Sequence, residues 1–344
     1  MNNSQKLQIL IEKLESISNK LIILSEDENV INKVNKKEDI SELKRKLDLL
    51  ITIDKNEIIF KGILGSQELN IFKTYYKKYT INVEGDVYIK SLNLKRIPIN
   101  FGYVKGNFDC SDNQLLTLKN GPIAVSGIYN CSHNRLESLE YSPKKLNSSF
   151  LCMYNSLLTL KGCTNIIPGV LNCSFNELSS LEGCASSIGK DFYCHHNKLK
   201  SLSGGPQQVG MSYECHNNSL LSLTGSPSEI NTDFNCSYNQ LTSLKNGPQK
   251  VRIDFNCSYN KLTSLIGCPQ NIGDFFDCSN NQLINLKGGP TYVGNYYSCA
   301  KNNINSLEGI SKKINGDFWC NDNSKVFSKE EVKLKSAISG KIIS

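Results

Sequence analysis

The sequence predicts an α/β solenoid, a stack of about twelve short coils that each add one strand to a parallel sheet along one face. Cys110, Cys131, Cys152, Cys173, Cys194, Cys215, Cys236, Cys257, Cys278, Cys299 and Cys320 recur every 21 residues. Two residues before each stands an aromatic or aliphatic residue, from Phe108 to Phe318, and three residues after each stands Asn, from Asn113 to Asn323. Leucines follow, as at Leu115 and Leu118 or Leu241 and Leu244. A coil this short cannot bury its apolar face alone, so the copies must stack.

Taken in chain order, the first 50 residues read as helical. Leu7, Leu10, Leu14, Ile17, Leu21 and Leu24 form a heptad seam, suited either to an antiparallel hairpin or to self-association as a coiled coil. A second helix is predicted over 40–50, opened by Asp39 and Glu42 and striped with Ile40, Leu43, Leu47 and Leu50. Residues 25–29 and 33–37 are expected to separate the two. Residues 51–85, rich in aromatics such as Phe60, Phe72 and Tyr76, read as a connecting and capping region.

The solenoid is assigned to residues 86–327. Within a coil, the aromatic residue and the cysteine alternate with a polar one, the period of a short strand with one buried face. Asn after the strand can bond backbone groups while the chain turns, and stacked copies would form an asparagine ladder. Gly-x-Pro, complete at Gly204–Pro206, Gly225–Pro227, Gly267–Pro269 and Gly288–Pro290, shapes a return arm that should be extended or 3₁₀-like. An aliphatic residue such as Ile188, Val209 or Ile230 closes each unit. The segment Asp86–Lys105 keeps the phase through Val87, Ile89, Leu94, Ile97 and Val104 but has Leu92 in place of Asn, so it reads as a degenerate first coil. Residues 328–344 are expected to cap the stack: Ser328-Lys329-Glu330-Glu331 is a capping box, predicted to open a helix running through Ala337.

Phe255-Asn256-Cys257-Ser258-Tyr259-Asn260-Lys261-Leu262-Thr263-Ser264-Leu265 resembles the leucine-rich repeat signature LxLxxNxLxxL, with Phe and Cys in the first two leucine positions. More narrowly, FNCSYNQLTSLKNGPQKV resembles repeats in leucine-rich repeat proteins of large tailed phages. The resemblance implies a generic protein-binding scaffold, encoded by a phage or virus. The abundance of Asn, Lys, Ile and Ser agrees with an AT-rich coding sequence.

The chain holds 14 cysteines, but their regular phase fits neither irregular disulfide bridging nor the close pairs of a zinc site. They read as small buried core residues, reduced in a cytoplasmic setting. The net charge of +7 is spread without the dense basic stripe of a nucleic-acid binder. No apolar run reaches membrane-spanning length, and the opening residues lack the apolar block of a secretory signal.

A row of outward side chains along the sheet is the expected protein-binding face. It comprises Asp191, Tyr193, His195, Glu214, His216, Asp233, Asp254, Phe275, Asp277, Tyr296, Asp317 and Trp319. Aromatics there would anchor a partner and carboxylates would select a basic one. His195 and His216 share a phase and should stack about 5 Å apart; they read as a polar patch, and no metal or other cofactor is assigned. No phosphate loop, HExxH, GxSxG or isolated catalytic carboxylate pair occurs, so no catalytic residue is assigned. Three roles stay open: a host-directed binder in the host cytoplasm, a virion component assembling as a homo-oligomer through Leu7–Leu24, and recognition of a carbohydrate or surface receptor.

Overall fold

The computed structural model describes residues 36–344, which leaves the heptad seam from Leu7 to Leu24 outside the described residues. The chain divides into two compact units at Ile51/Thr52. In the first, helix α1 spans Lys36–Asp48. This corrects the expected range of 40–50: Lys36 to Asp39 contain no helix breaker, so helix propensity carries through the presumed cap. The far end closes with Leu50 N donating to Leu47 O at 2.8 Å.

Past β1 (Ile51–Asp54), which begins at the boundary residue, the second unit runs through β2 (Glu57–Phe60), α2 (Ser66–Tyr75) and β3 (Thr80–Val83). Leu69, Ile71 and Phe72 of α2 are buried, and Phe72 meets Phe60 edge to face at 5.5 Å. Strands β2 and β3 pair in parallel and continue into Asn100–Val104. The segment after α1 therefore belongs to a six-stranded sheet that continues through Ala124–Val125 to Lys145–Leu146.

From Val87–Tyr88 to Ile342–Ile343, thirteen parallel strands form one sheet. Register is strict, so each residue faces its counterpart one coil on, as in Phe255 with Phe276 and Asn256 with Asp277. A second row of short strands, such as Ala124–Val125 and Lys145–Leu146, runs along the arm that leads into the main sheet. The leucine-bearing arm contains bends and turns and no strand. Among the described residues, no helix is long and apolar enough to cross a membrane.

Between these arms lies a dry core. The eleven repeat cysteines, the aromatics two residues before them and leucine pairs such as Leu241 and Leu244 are buried. The Phe108-to-Phe318 column is nearly all aromatic, with neighbouring rings from 4.9 to 5.8 Å apart. Each repeat asparagine ties two coils: Asn134 Oδ1 accepts from Leu115 N at 2.9 Å, and Nδ2 donates to the Cys110, Cys131 and Ser132 carbonyls. The first coil has no such asparagine, and Asn113 of the second serves it by accepting from Leu92 N and Leu94 N.

The residue before each repeat asparagine adopts a left-handed conformation, with φ between 50° and 55° from Asp112 through Asp322, and Ser91, before Leu92, does the same at 55°. The Gly of Gly-x-Pro is left-handed as well. At Gly267 (φ +101°) an added Cβ would lie 2.7 Å from the Leu244 backbone of the coil before it, so both torsion and close approach demand glycine.

The C terminus departs from expectation. Ser328 and Glu331 make the reciprocal capping box, at 3.1 and 3.0 Å, but helix α3 spans only Lys329–Lys333. Ala337–Ile338 and Ile342–Ile343 are strands that pair with Lys313–Ile314 and Phe318–Trp319. The helix stops because the open edges of both sheets offer this segment backbone partners, and extended chain satisfies them. Phe327 and Val332 fill the interior where Lys325 and Ser328 occupy the leucine phases.

Candidate functional site

On the main sheet, the residue before the cysteine is flanked by its counterparts one coil to either side, and most of these side chains are half covered, while Ser298 is buried. Tyr193, Glu214 and Asp277 are half-buried in this way, whereas Trp319 is exposed (37%). Three residues before the cysteine, Asp191, Asp233, Asp254, Phe275, Tyr296 and Asp317 are likewise half-buried. At the C-terminal end the rings converge: Phe275 and Tyr296 stack at 4.9 Å with planes 4° apart, and Tyr296 meets Trp319 at 5.8 Å. The geometry makes a continuous aromatic strip across three coils.

The aspartates of this row also have a structural duty that periodicity did not disclose. Asp191 Oδ1 accepts from Ser212 N, Asp233 Oδ1 from Asp254 N, Asp254 Oδ1 from Phe275 N and Asp317 Oδ1 from Lys341 N, at 2.7 to 3.2 Å. Each carboxylate thus staples its coil to the next. Asp277 accepts from Ser279 N at 2.8 Å, and burial raises its carboxyl and that of Asp254 above the ordinary range. Burial likewise pushes Glu214 up to about 7, with Asp233 and Asp191 adding to the effect.

A second lane of rings runs along the left-handed turns. His133, Tyr154, Phe175 and His196 occupy this phase in four consecutive coils and stack face to face at 4.5, 4.3 and 4.2 Å. Tyr238 and Tyr259 form a second stack at 4.2 Å. Left-handed backbone disfavours bulky side chains by about 1–2 kcal/mol each, and aromatic pairing returns about 0.5–1.5 kcal/mol. Sequence reasoning left this lane out. The repeated phase was visible, but only the φ angle turns these side chains into one column.

His195 and His216 stack at 4.4 Å with planes 9° apart. The structure adds His196, whose Nδ1 lies 2.9 Å from His195 Nδ1. Burial, with the neighbouring imidazoles, pulls His195 down to about 4, and burial chiefly does the same to His216. The contact of 3.7 Å between His216 Nε2 and Glu214 Oε2 is therefore not an ion pair at neutral pH.

Burial disfavours the thiolate form along the cysteine ladder. Burial raises Cys194 and Cys215 well above the ordinary range, and even half-covered Cys163 is pushed up to about 12.

No family model matches the chain, and no curated protein sequence does. Among solved structures, YopM from Yersinia enterocolitica WA-314 is similar over 77% of this chain at 16% identity, with a TM-score of 0.46. The match covers 64% of that YopM chain. The leucine-rich repeat domain of APL1B is similar over 82% of this chain and 86% of its own, at 17% identity and a TM-score of 0.43. YopM from Yersinia pestis, described as a leucine-rich effector protein, is similar over 69% of this chain and 77% of its own, at 16% identity and a TM-score of 0.36.

Proposed function

We propose that the chain is a non-enzymatic scaffold that binds a protein partner on the outward face of its main sheet. The observation that carries this reading is the aromatic strip of Phe275, Tyr296 and Trp319. Large rings aligned across neighbouring strands present rigid apolar area at small entropic cost, as protein-binding hot spots do. The stapling carboxylates alongside give the strip an acidic border that favours a basic segment. The resemblance of the repeats to those of large tailed phages supports a phage- or virus-encoded binder of a host protein in the host cytoplasm. Self-association through Leu7–Leu24 would instead favour the alternative reading, a virion component.

The test is a quantitative pull-down from host lysate with wild type and a Tyr193→Ala, Tyr296→Ala, Trp319→Ala triple variant, each first checked by a thermal melt. The expected outcome is a partner whose capture falls at least about tenfold in the variant, since each anchor truncation typically removes more than about 1 kcal/mol. A partner held equally by both proteins overturns the sheet-face assignment.

A further inference from the structure

Three imidazoles meet at the seam between two adjacent coils. His195 and His196 follow Cys194, and His216 follows Cys215. The residue directly after the repeat cysteine is Ser in six of the eleven copies, so two successive histidines there are not a demand of the fold. The left-handed turn at His196 (φ +52°) brings its ring to the pair, and one ring nitrogen from each residue lies within 4.8 Å of the others. His195 and His216 are half-buried, and His196 stands at the exposed rim.

We propose that His195, His196 and His216 bind one divalent transition-metal ion of the zinc class, with Glu214 or water completing the coordination. The donor set selects the ion. Imidazole nitrogens suit Zn²⁺, Co²⁺, Ni²⁺ and Cu²⁺, whereas Mg²⁺ and Ca²⁺ prefer oxygen. A tetrahedral ion with bonds of about 2.0–2.1 Å holds its nitrogens about 3.3 Å apart. The His195–His196 pair, at 2.9 Å, reaches that separation by opening a few tenths of an ångström. His216 must turn out of its parallel stack, because the in-plane lone pairs of stacked rings do not converge.

The surrounding groups support such a site. The Asn217 side-chain amide is hydrogen bonded to His216 Nδ1 at 2.7 Å. There Asn217 Nδ2 donates, so coordination through His216 Nε2 requires the amide to turn over and accept from Nδ1–H, the usual outer-shell arrangement for a ligating histidine. Glu214 Oε2, 3.7 Å from His216 Nε2, is within a small rotation of the same ion.

The test is a titration of the reduced full-length protein with Co²⁺, read by d–d absorption, and with Zn²⁺, read by calorimetry. One equivalent is expected to bind, with affinity falling at least about tenfold in His196→Gln and in His216→Gln, while His133→Gln binds as wild type. Absence of saturable binding overturns the proposal, as do Gln variants that bind unchanged. A thiolate-to-cobalt charge-transfer band would assign the ion to cysteines and overturn it equally. If a variant fails to fold, wild-type protection supplies a second readout: Zn²⁺ should slow diethyl pyrocarbonate modification of His196 but not of His133. Equal rates with and without Zn²⁺ count against the site.

Discussion

The amide of Asn239 accepts from Leu220 N at 2.9 Å and donates to the carbonyls of Cys215, Cys236 and Ser237 at 3.1 Å. Ser237 O also accepts from Asn217 N one coil back, but the Asn239 side chain serves the other groups of the turn and does the work of a ladder rung there. Replacement by Ala strands a donor and several acceptors in a dry seam, each worth about 1–3 kcal/mol when left unmade. Asn239→Ala is expected to lose about 3 kcal/mol in urea denaturation, whereas exposed Gln240→Ala should stay within about 0.5 kcal/mol. Equal effects would mean that water replaces the amide. A steric pairing acts at the same scale. Tyr replaces Phe in the buried column at Tyr129, Tyr213 and Tyr297, where a Cβ added at Gly121, Gly205 or Gly289 would lie 3.2 to 3.7 Å from the hydroxyl.

The last coil shows an element whose conformation is set by what it must cover. Serine capping starts helix α3, but the stack ends on two open strands, Lys313–Ile314 and Phe318–Trp319, whose unpaired backbone groups would template other chains. Ala337–Ile338 and Ile342–Ile343 cover both, and Ile342 is buried. Deleting residues 337–344 removes this cover. It is expected to cost about 2–4 kcal/mol, from lost burial of an Ile-sized side chain and the pairing lost with it, and to promote association. Thermal melts with size-exclusion light scattering check this; an unchanged melt and a monomeric profile would show that α3 alone caps the stack.

Across the whole molecule, the cysteine ladder makes stability depend on alkaline pH. Burial raises the thiols of Cys131, Cys173, Cys257 and Cys299, among others, well above the ordinary range. A group whose folded pKa exceeds its unfolded one stabilises the fold fully below the unfolded value and loses that contribution as pH rises. Above about pH 8.5 the unfolded chain releases thiol protons that the fold retains, so each buried thiol removes about 1.4 kcal/mol per pH unit. Under reducing conditions the melting temperature should fall steeply from pH 8.5 to 9.5. A Cys215→Ala, Cys236→Ala, Cys257→Ala variant should melt lower at pH 7.5 but lose less over that interval; an equal slope would place the sensitivity elsewhere.

How much was legible beforehand follows from the same physics. A strict 21-residue period puts every repeat position in one environment, so Phe108, Cys110, Leu115 and Leu118 could be assigned to the core by phase alone. Phase does not say which way a side chain leaves a turn, nor what a neighbouring coil offers it. The roles of Asp191 and Asp254 as staples depend on backbone N–H groups 21 residues away. The column from His133 to His196 depends on a left-handed φ, and His196 joins His195 and His216 only through that turn. Helix α3 looked longer because its local pattern permits helix as far as Ala337, and only the open sheet edges decide otherwise. The repeat, the strand and the buried set could be read from residue order, because they need only periodicity and hydrophobic burial. Which polar groups bind the coils together, and which rings meet, emerges only in the folded chain, because those follow from hydrogen bonds and torsions between coils.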